Sequence, residues 1–289
     1  MIKLFADTNS DLTPEIAKEY GYSLISMPFN VNNLEVYPYI DFEKFEYNEF
    51  YDMLRSGVIP STCAISPEKY IEYFEPVFAN GDDALYVHFS SAMSGTFNAL
   101  EIALDELKGK YPERSCYLVD TMGISINSLA IVKEIGQMNI DGKSIEEILN
   151  WASAEVKHFA TYFFANDLRF FKRSGRISNF SSIMGTIVGV KPIIYMDENG
   201  SMTNVSKARG KMGALRKILE YVDSLQLDID KHKVIIAHSD ALELAEKLAE
   251  MLQEKYNNKL DIEYSVVNPT IGSHCGPDCV GVCFHAIHK

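Results

Sequence analysis

No stretch of the chain approaches the roughly 18 uninterrupted apolar residues that a membrane-spanning helix needs. Its first seven residues, Met1-Ile2-Lys3-Leu4-Phe5-Ala6-Asp7, contain no long apolar signal segment and run straight into a strand pattern. The expectation is therefore a cytoplasmic protein without integral membrane contact. Positive charge is also scarce. Lys and Arg total 27 against 40 Asp and Glu, a net charge of −13, which argues against nucleic acid and anionic membranes as partners. The one dense basic group, Arg169, Lys172, Arg173 and Arg176, reads as a solvated helix end or as a local patch. Cysteine is sparse and odd in number: five residues, with Cys63 and Cys116 isolated, do not make a disulfide framework. Repeats, low-complexity runs and flexible linkers are absent as well.

What is present is a full core: 47% hydrophobic and 23% charged residues over 289 positions, enough for two domains of ordinary size. The first half alternates strand and helix signals. Strands are expected at 2–6, 23–29, 84–89 and 116–119. Helices are expected after Thr13-Pro14, after Ser66-Pro67, after Gly95, and after the capping box Ser144-Ile145-Glu146-Glu147, the last running to about His158. Such alternation implies a parallel sheet covered by helices. From about residue 160 the character changes. Strands at 160–165, 189–196 and 202–206, the last two joined by a turn at Glu198-Asn199-Gly200, are followed by a helix from Lys211 to about Leu225. A strand at 233–238, a helix at 241–256, and strands at 262–267 and 280–286 complete it. We therefore expect an α/β chain with a parallel-sheet N-terminal domain at 1–159 and an α+β C-terminal domain at 160–289.

Ligands of open α/β sheets gather at the carboxyl ends of strands. Polar turns at 7–11, 90–96 and 120–121 fall on that edge, and a hydroxyl-rich loop at 60–66 adds a fourth. The 90–96 turn leads into a helix and carries no Lys or Arg, so it forms a neutral cradle for one small carboxylate or phosphate. Ser94 is not a hydrolase elbow, because Ala92 and Thr96 stand where glycines are required. It reads as a hydrogen-bond donor. Gly175-Arg176 permits either a plain helix cap or an ion pair with the first domain or a ligand.

In the tail, His274 is expected in a glycine-flanked loop that presents it to a ligand. Cys275, Cys279 and Cys283 invite a metal reading. However, Cys279 and Cys283 on one strand would be spread by about 13 Å, and Cys275 meets Cys279 only if the Gly-Pro loop folds back. Small buried cysteines are the plainer reading.

Asp7-Thr8 to Asp11-Leu12, Pro60-Ser61-Thr62, Ser91-Ala92-Met93-Ser94-Gly95-Thr96, Asp120-Thr121, Gly175-Arg176-Ile177, Lys191-Pro192-Ile193, Lys207-Ala208-Arg209-Gly210 and Gly272-Ser273-His274-Cys275-Gly276-Pro277 follow one another along the chain. In this order the chain resembles the DegV family of bacterial fatty acid-binding proteins. The resemblance implies a two-domain fold that buries one long-chain fatty acid between its domains or within the second. It also implies a carrier role: the lipid is presented to a fatty acid kinase, and the acyl phosphate passes to phospholipid synthesis. Carried onto this chain, Thr62, Ser94 and His274 bind the carboxylate. Arg209, with His274, sits near the headgroup or assists the kinase. No catalytic residue, metal or cofactor is implied, the fatty acid being the ligand.

Each buried methylene contributes ~0.8 kcal/mol, so a chain of about fifteen supplies most of the affinity. Phe163, Phe164, Ile183, Ile187, Val188 and Ile194 are candidates for lining the tunnel. Three departures stand out: Cys63-Ala64-Ile65 replaces more polar residues, Ser174 replaces a frequent glycine, and Asp278 replaces a glycine beside His274. A carboxylate at 278 is expected to raise the proton affinity of a nearby histidine or to repel the ligand. The rival readings are a hydrolase or phosphoryl-transfer enzyme using Ser94 and His274, and a metal-binding tail.

Overall fold

The computed structural model describes residues 1–179, 181 and 189–289. In chain order the elements begin β1 (Ile2–Asp7), α1 (Pro14–Tyr20), β2 (Tyr22–Ile25), β3 (Phe29–Val31), β4 (Leu34–Val36), α2 (Tyr47–Arg55) and β5 (Ser61–Thr62). They continue with α3 (Pro67–Ala79), β6 (Asp83–His88), α4 (Thr96–Lys110), β7 (Cys116–Asp120), α5 (Ile126–Ile140) and α6 (Ile145–Glu155). The second half holds β8 (Phe159–Phe164), α7 (Leu168–Ser174), β9 (Val190–Met196), β10 (Met202–Arg209), α8 (Gly210–Leu225) and β11 (Val234–His238). It closes with α9 (Leu242–Lys255), β12 (Ile262–Val266), α10 (Pro269–Cys275) and β13 (Val280–His285).

The first lobe is built on a parallel sheet in the order β2-β1-β6-β7. Thr13 and Ser66 cap α1 and α3 with proline at the first turn, and the Ser144–Glu147 capping box opens α6. The second lobe carries a mixed sheet, β10-β9-β8-β13-β11-β12, in which only β11 and β12 run parallel. The mixed α/β class and the change from parallel to mixed sheet are as expected.

One strand expectation needs correction. The 23–29 run is two strands, broken where Pro28 removes a ladder donor. After the break, β3 leaves the parallel sheet and pairs with β4 and β5 in a small antiparallel sheet. Periodicity does not mark the helix α5: residues 126–132, its first two turns, are all buried, so no polar face shows there, and it packs against both lobes.

One hydrophobic cluster runs from Leu4 and Phe5 through Ile131 to Ile271 and Cys283, joining the two sheets. Polar contacts also cross between the lobes. The Asp11 carboxylate accepts from the backbone and side-chain nitrogens of Asn268 at 2.9 and 2.7 Å. The Ser90 hydroxyl donates to the Gly200 carbonyl at 2.7 Å. Asn127 donates to the Phe159 carbonyl at 2.7 Å and to Thr161 Oγ1 at 3.1 Å. Gly200, in the β9–β10 turn at φ +72°, comes so close that a Cβ there would lie 2.2 Å from Ser90 Oγ. No helix among the described residues is long and apolar enough to cross a membrane.

Candidate functional site

Between the lobes lies a cavity with about 1000 Å³ of atom-free space, part of it open at the mouth. Its walls are mostly apolar: Met27, Phe89, Met93, Phe163, Phe171, Met196 and Val267 contribute from both lobes. Of the tunnel candidates, Phe163 lines it, whereas Phe164 and Ile194 are fully buried away from it in the core. Ile183, Ile187 and Val188 lie outside the described residues.

The polar groups gather at one end. Thr62, from β5 of the small sheet, places Oγ1 2.9 Å from Nε2 of His274. Ser94 precedes α4, whose N-cap is Gly95 and therefore has no capping side chain; Ser94 Oγ accepts the Thr96 N–H at 3.2 Å instead. Arg176 closes the rim. Its Nε donates to the Met93 carbonyl at 3.1 Å and Nη1 to the Ser174 carbonyl at 2.7 Å. Thr62, Ser94, Arg176 and His274 all line the cavity. Arg209 does not: it is exposed, at the end of β10 where α8 begins.

The turn at 90–96 supplies no positive charge, but the second lobe brings Arg176 to it, and the neutral cradle of the sequence is neutral only locally. The contact of Arg176 with the first lobe is to a carbonyl, not an ion pair. Gly175 caps α7 at φ +65°. Two of the other basic residues of that segment are also engaged, Arg169 by Asp167 and Arg173 by the Ile59 carbonyl.

His274 is not in a loop. Asn268 caps α10 by accepting the Ile271 N–H, Pro269 starts it, and His274 lies in its last turn. Gly276 ends that helix at φ +71°, with the Phe170 ring against it. Burial, and then the positive charge of Arg176, pushes the His274 imidazole down to about 4. This reverses the effect expected of Asp278. That residue takes the left-handed backbone at φ +62° and points its carboxylate elsewhere, to Arg55 at 2.9 Å, Asn166 at 3.2 Å and Lys211 at 3.3 Å. Arg55 also binds Asp240.

The other polar turns are largely occupied with one another. Asp7 accepts from Tyr86 Oη and from the Asn9 and Phe89 nitrogens, and burial pushes it up to about 7. Thr8 Oγ1 accepts the Met27 N–H, and Ser91 donates to Asp120. His274 is paired with Thr62; no hydrogen bond between His274 and Ser94 is present among the described residues.

The Gly-Pro loop does fold back. Cys279 Sγ lies 3.2 Å from the Cys275 carbonyl oxygen, and contact between the two thiols, with burial, pushes Cys275 up. Among the described residues no group of three or more His, Cys, Asp or Glu could hold a metal ion.

Comparison with known proteins gives one answer. The family model described as "Uncharacterised protein, DegV family" matches residues 1–286. The DegV domain-containing protein CPE0026 of Clostridium perfringens is 35% identical over 281 residues, 97% of this chain and 96% of that protein. A fatty acid binding DegV family protein of Streptococcus agalactiae superposes with a TM-score of 0.85 at 22% identity, covering 99% of each chain. A stearic acid-binding protein of Eubacterium ventriosum superposes with a TM-score of 0.87 at 20% identity, covering 99% of this chain and 98% of that one. At these identities the two superpositions speak for the fold.

Proposed function

The chain belongs to the DegV family, and from that premise we propose that it binds one long-chain fatty acid, carboxylate toward Thr62, Ser94 and His274 and alkyl chain in the interlobe cavity. The observation that carries this reading is the placement of the two hydroxyls. At neutral pH His274 is uncharged and its Nε2 is hydrogen-bonded to Thr62 Oγ1; in the tautomer protonated at Nε2 the imidazole is the donor. Ser94 Oγ is already an acceptor for Thr96 N–H. In that tautomer each hydroxyl oxygen is engaged as an acceptor while its own proton is left to donate to an anionic oxygen. Hydrogen bonds of this charge-assisted kind are the strong ones. The side-chain-free N-cap of α4 and the guanidinium of Arg176 add favourable potential on the same side.

The same end adjoins an open depression lined by Gly95, Gly175, Arg176 and Ser178. We assign to this face the presentation of the carboxylate to a fatty acid kinase, with the chain itself a non-catalytic, cytoplasmic carrier feeding phospholipid synthesis. Arg209 then belongs to the kinase encounter. The division into domains 1–159 and 160–289 is part of the same proposal.

Native mass spectrometry of freshly purified protein, followed by identification of the extracted lipid, tests the reading. A single retained fatty acid is expected. Absence of any fatty acid, with no uptake of added oleate, would overturn it, as would esterase or phosphatase turnover abolished by Ser94→Ala.

A further inference from the structure

Cys275 and Cys279 both line the cavity and are almost fully buried, at 7% and 4% exposure, so the surface they retain faces the space proposed for the acyl chain. Cys279 Sγ reaches the Cys275 carbonyl oxygen at 3.2 Å, which brings the two side chains together, and each thiol acts on the other's proton affinity. The two are held very differently. Residues 278 and 279 are pinned to Ser239: its carbonyl accepts the Asp278 N–H at 2.7 Å, its hydroxyl the Cys279 N–H at 2.8 Å, and its own N–H reaches the Cys279 carbonyl at 3.0 Å. Cys275 ends a seven-residue helix next to His274.

From this placement, and resting on the fatty acid reading above, we infer that Cys275 and Cys279 are an oxidation site governed by cavity occupancy. An apolar hydroperoxide entering the empty cavity converts them to a disulfide that weakens lipid binding. The Cys279 sulfur attacks the peroxide oxygen, the O–O bond breaks, and the alcohol leaves with a sulfenic acid formed on Cys279. The Cys275 sulfur then displaces that hydroxyl as water. Two thiols are oxidised, one hydroperoxide is reduced, and one S–S bond forms. The bond requires the sulfurs to close to about 2.05 Å. With Cys279 pinned, the last turn of α10 moves, and His274 moves with it, away from Thr62. An acyl chain in place blocks both the reagent and the movement. By linkage, a ligand that disfavours the disulfide is itself disfavoured by it.

The test uses the reduced, delipidated full chain with and without saturating oleate, cumene hydroperoxide as the probe, and peptide mass mapping of the thiols. In the empty protein a Cys275–Cys279 disulfide is expected. Oleate should slow its formation about tenfold or more, and the oxidised protein should bind oleate about tenfold more weakly until reduced. Equal rates with oleate demonstrably bound by native mass spectrometry would overturn the inference, as would a disulfide that leaves oleate affinity unchanged. Should native mass spectrometry find no oleate bound under any condition, the fatty acid reading fails first and the gating falls with it. Mapping separates Cys63, which also lines the cavity and donates to Glu35, from the inferred pair.

Discussion

Thr62 Oγ1 and His274 Nε2 stand 2.9 Å apart although 212 residues separate them in the chain. One comes from a two-residue strand of the small sheet, the other from the last turn of α10. In the proposed carrier this pair forms one wall of the carboxylate end.

Removing either hydroxyl is therefore expected to weaken lipid binding without unfolding the protein. A hydrogen bond to a charged group is worth ~1.5–3 kcal/mol, so Thr62→Val or Ser94→Ala should each lower oleate affinity about 10- to 100-fold. His274→Ala should cost less than the sum when combined with Thr62→Val, since the two residues act through one contact. Titration calorimetry on the single and double variants checks both statements. Additive losses would mean that His274 meets the ligand independently.

Arg176 is expected to act on His274 as well as on the ligand. Its charge helps hold the imidazole down at about 4. Arg176→Gln should raise that pKa, as should occupancy by a carboxylate, and both shifts are readable in the His274 ring signals of an NMR titration. An unchanged pKa in the variant would leave burial as the whole cause.

Asp7 gives stability its own pH dependence. Burial raises its carboxyl to about 7 from an ordinary value of 3.8. The folded state thus holds a proton that the unfolded chain has released, so this contribution is full below about pH 4 and disappears as pH rises through about 7. Urea midpoints should fall between pH 5 and pH 8 by more in the wild type than in Asp7→Asn. Parallel slopes for the two proteins would refute the assignment to Asp7.

Asp278 combines a left-handed backbone with three hydrogen-bonding partners. Asp278→Gly gives up the partners but no backbone ease, whereas Asp278→Ala gives up both. Alanine should therefore be the more destabilising by ~1 kcal/mol in urea unfolding. The reverse order would show that the turn does not retain φ +62° in solution.

Much of the scaffold can be read directly from local chemistry. Thr13-Pro14, Ser66-Pro67 and the Ser144 capping box mark helix starts because capping is settled within four residues. The helix α5 carries no such mark: its first two turns, 126–132, are wholly buried, and burial there erases the periodic contrast that signals a helix. The small sheet is equally silent, since two- and three-residue strands have no alternation to count. Ser94 could be singled out from its turn and Thr62 from its loop. Their meeting with His274 could not, because it depends on how β5 packs against α10. The aim of Asp278 is another case: the substitution is visible in the sequence, but its partner Arg55 lies 223 positions away.

The seams between the lobes decide how any cargo must travel. Asn268 to Asp11, Gly200 to Ser90, Phe159 to Asn127, and Asp240 and Asp278 to Arg55 fasten the two halves at separate points around the cavity. A clamshell opening would have to break all of them at once, together with the shared hydrophobic cluster. For the proposed carrier, loading and unloading therefore amount to threading a needle that stays closed. Residence time should lengthen with every carbon that must slide past the eye, making the exchange rate a gauge of cargo length.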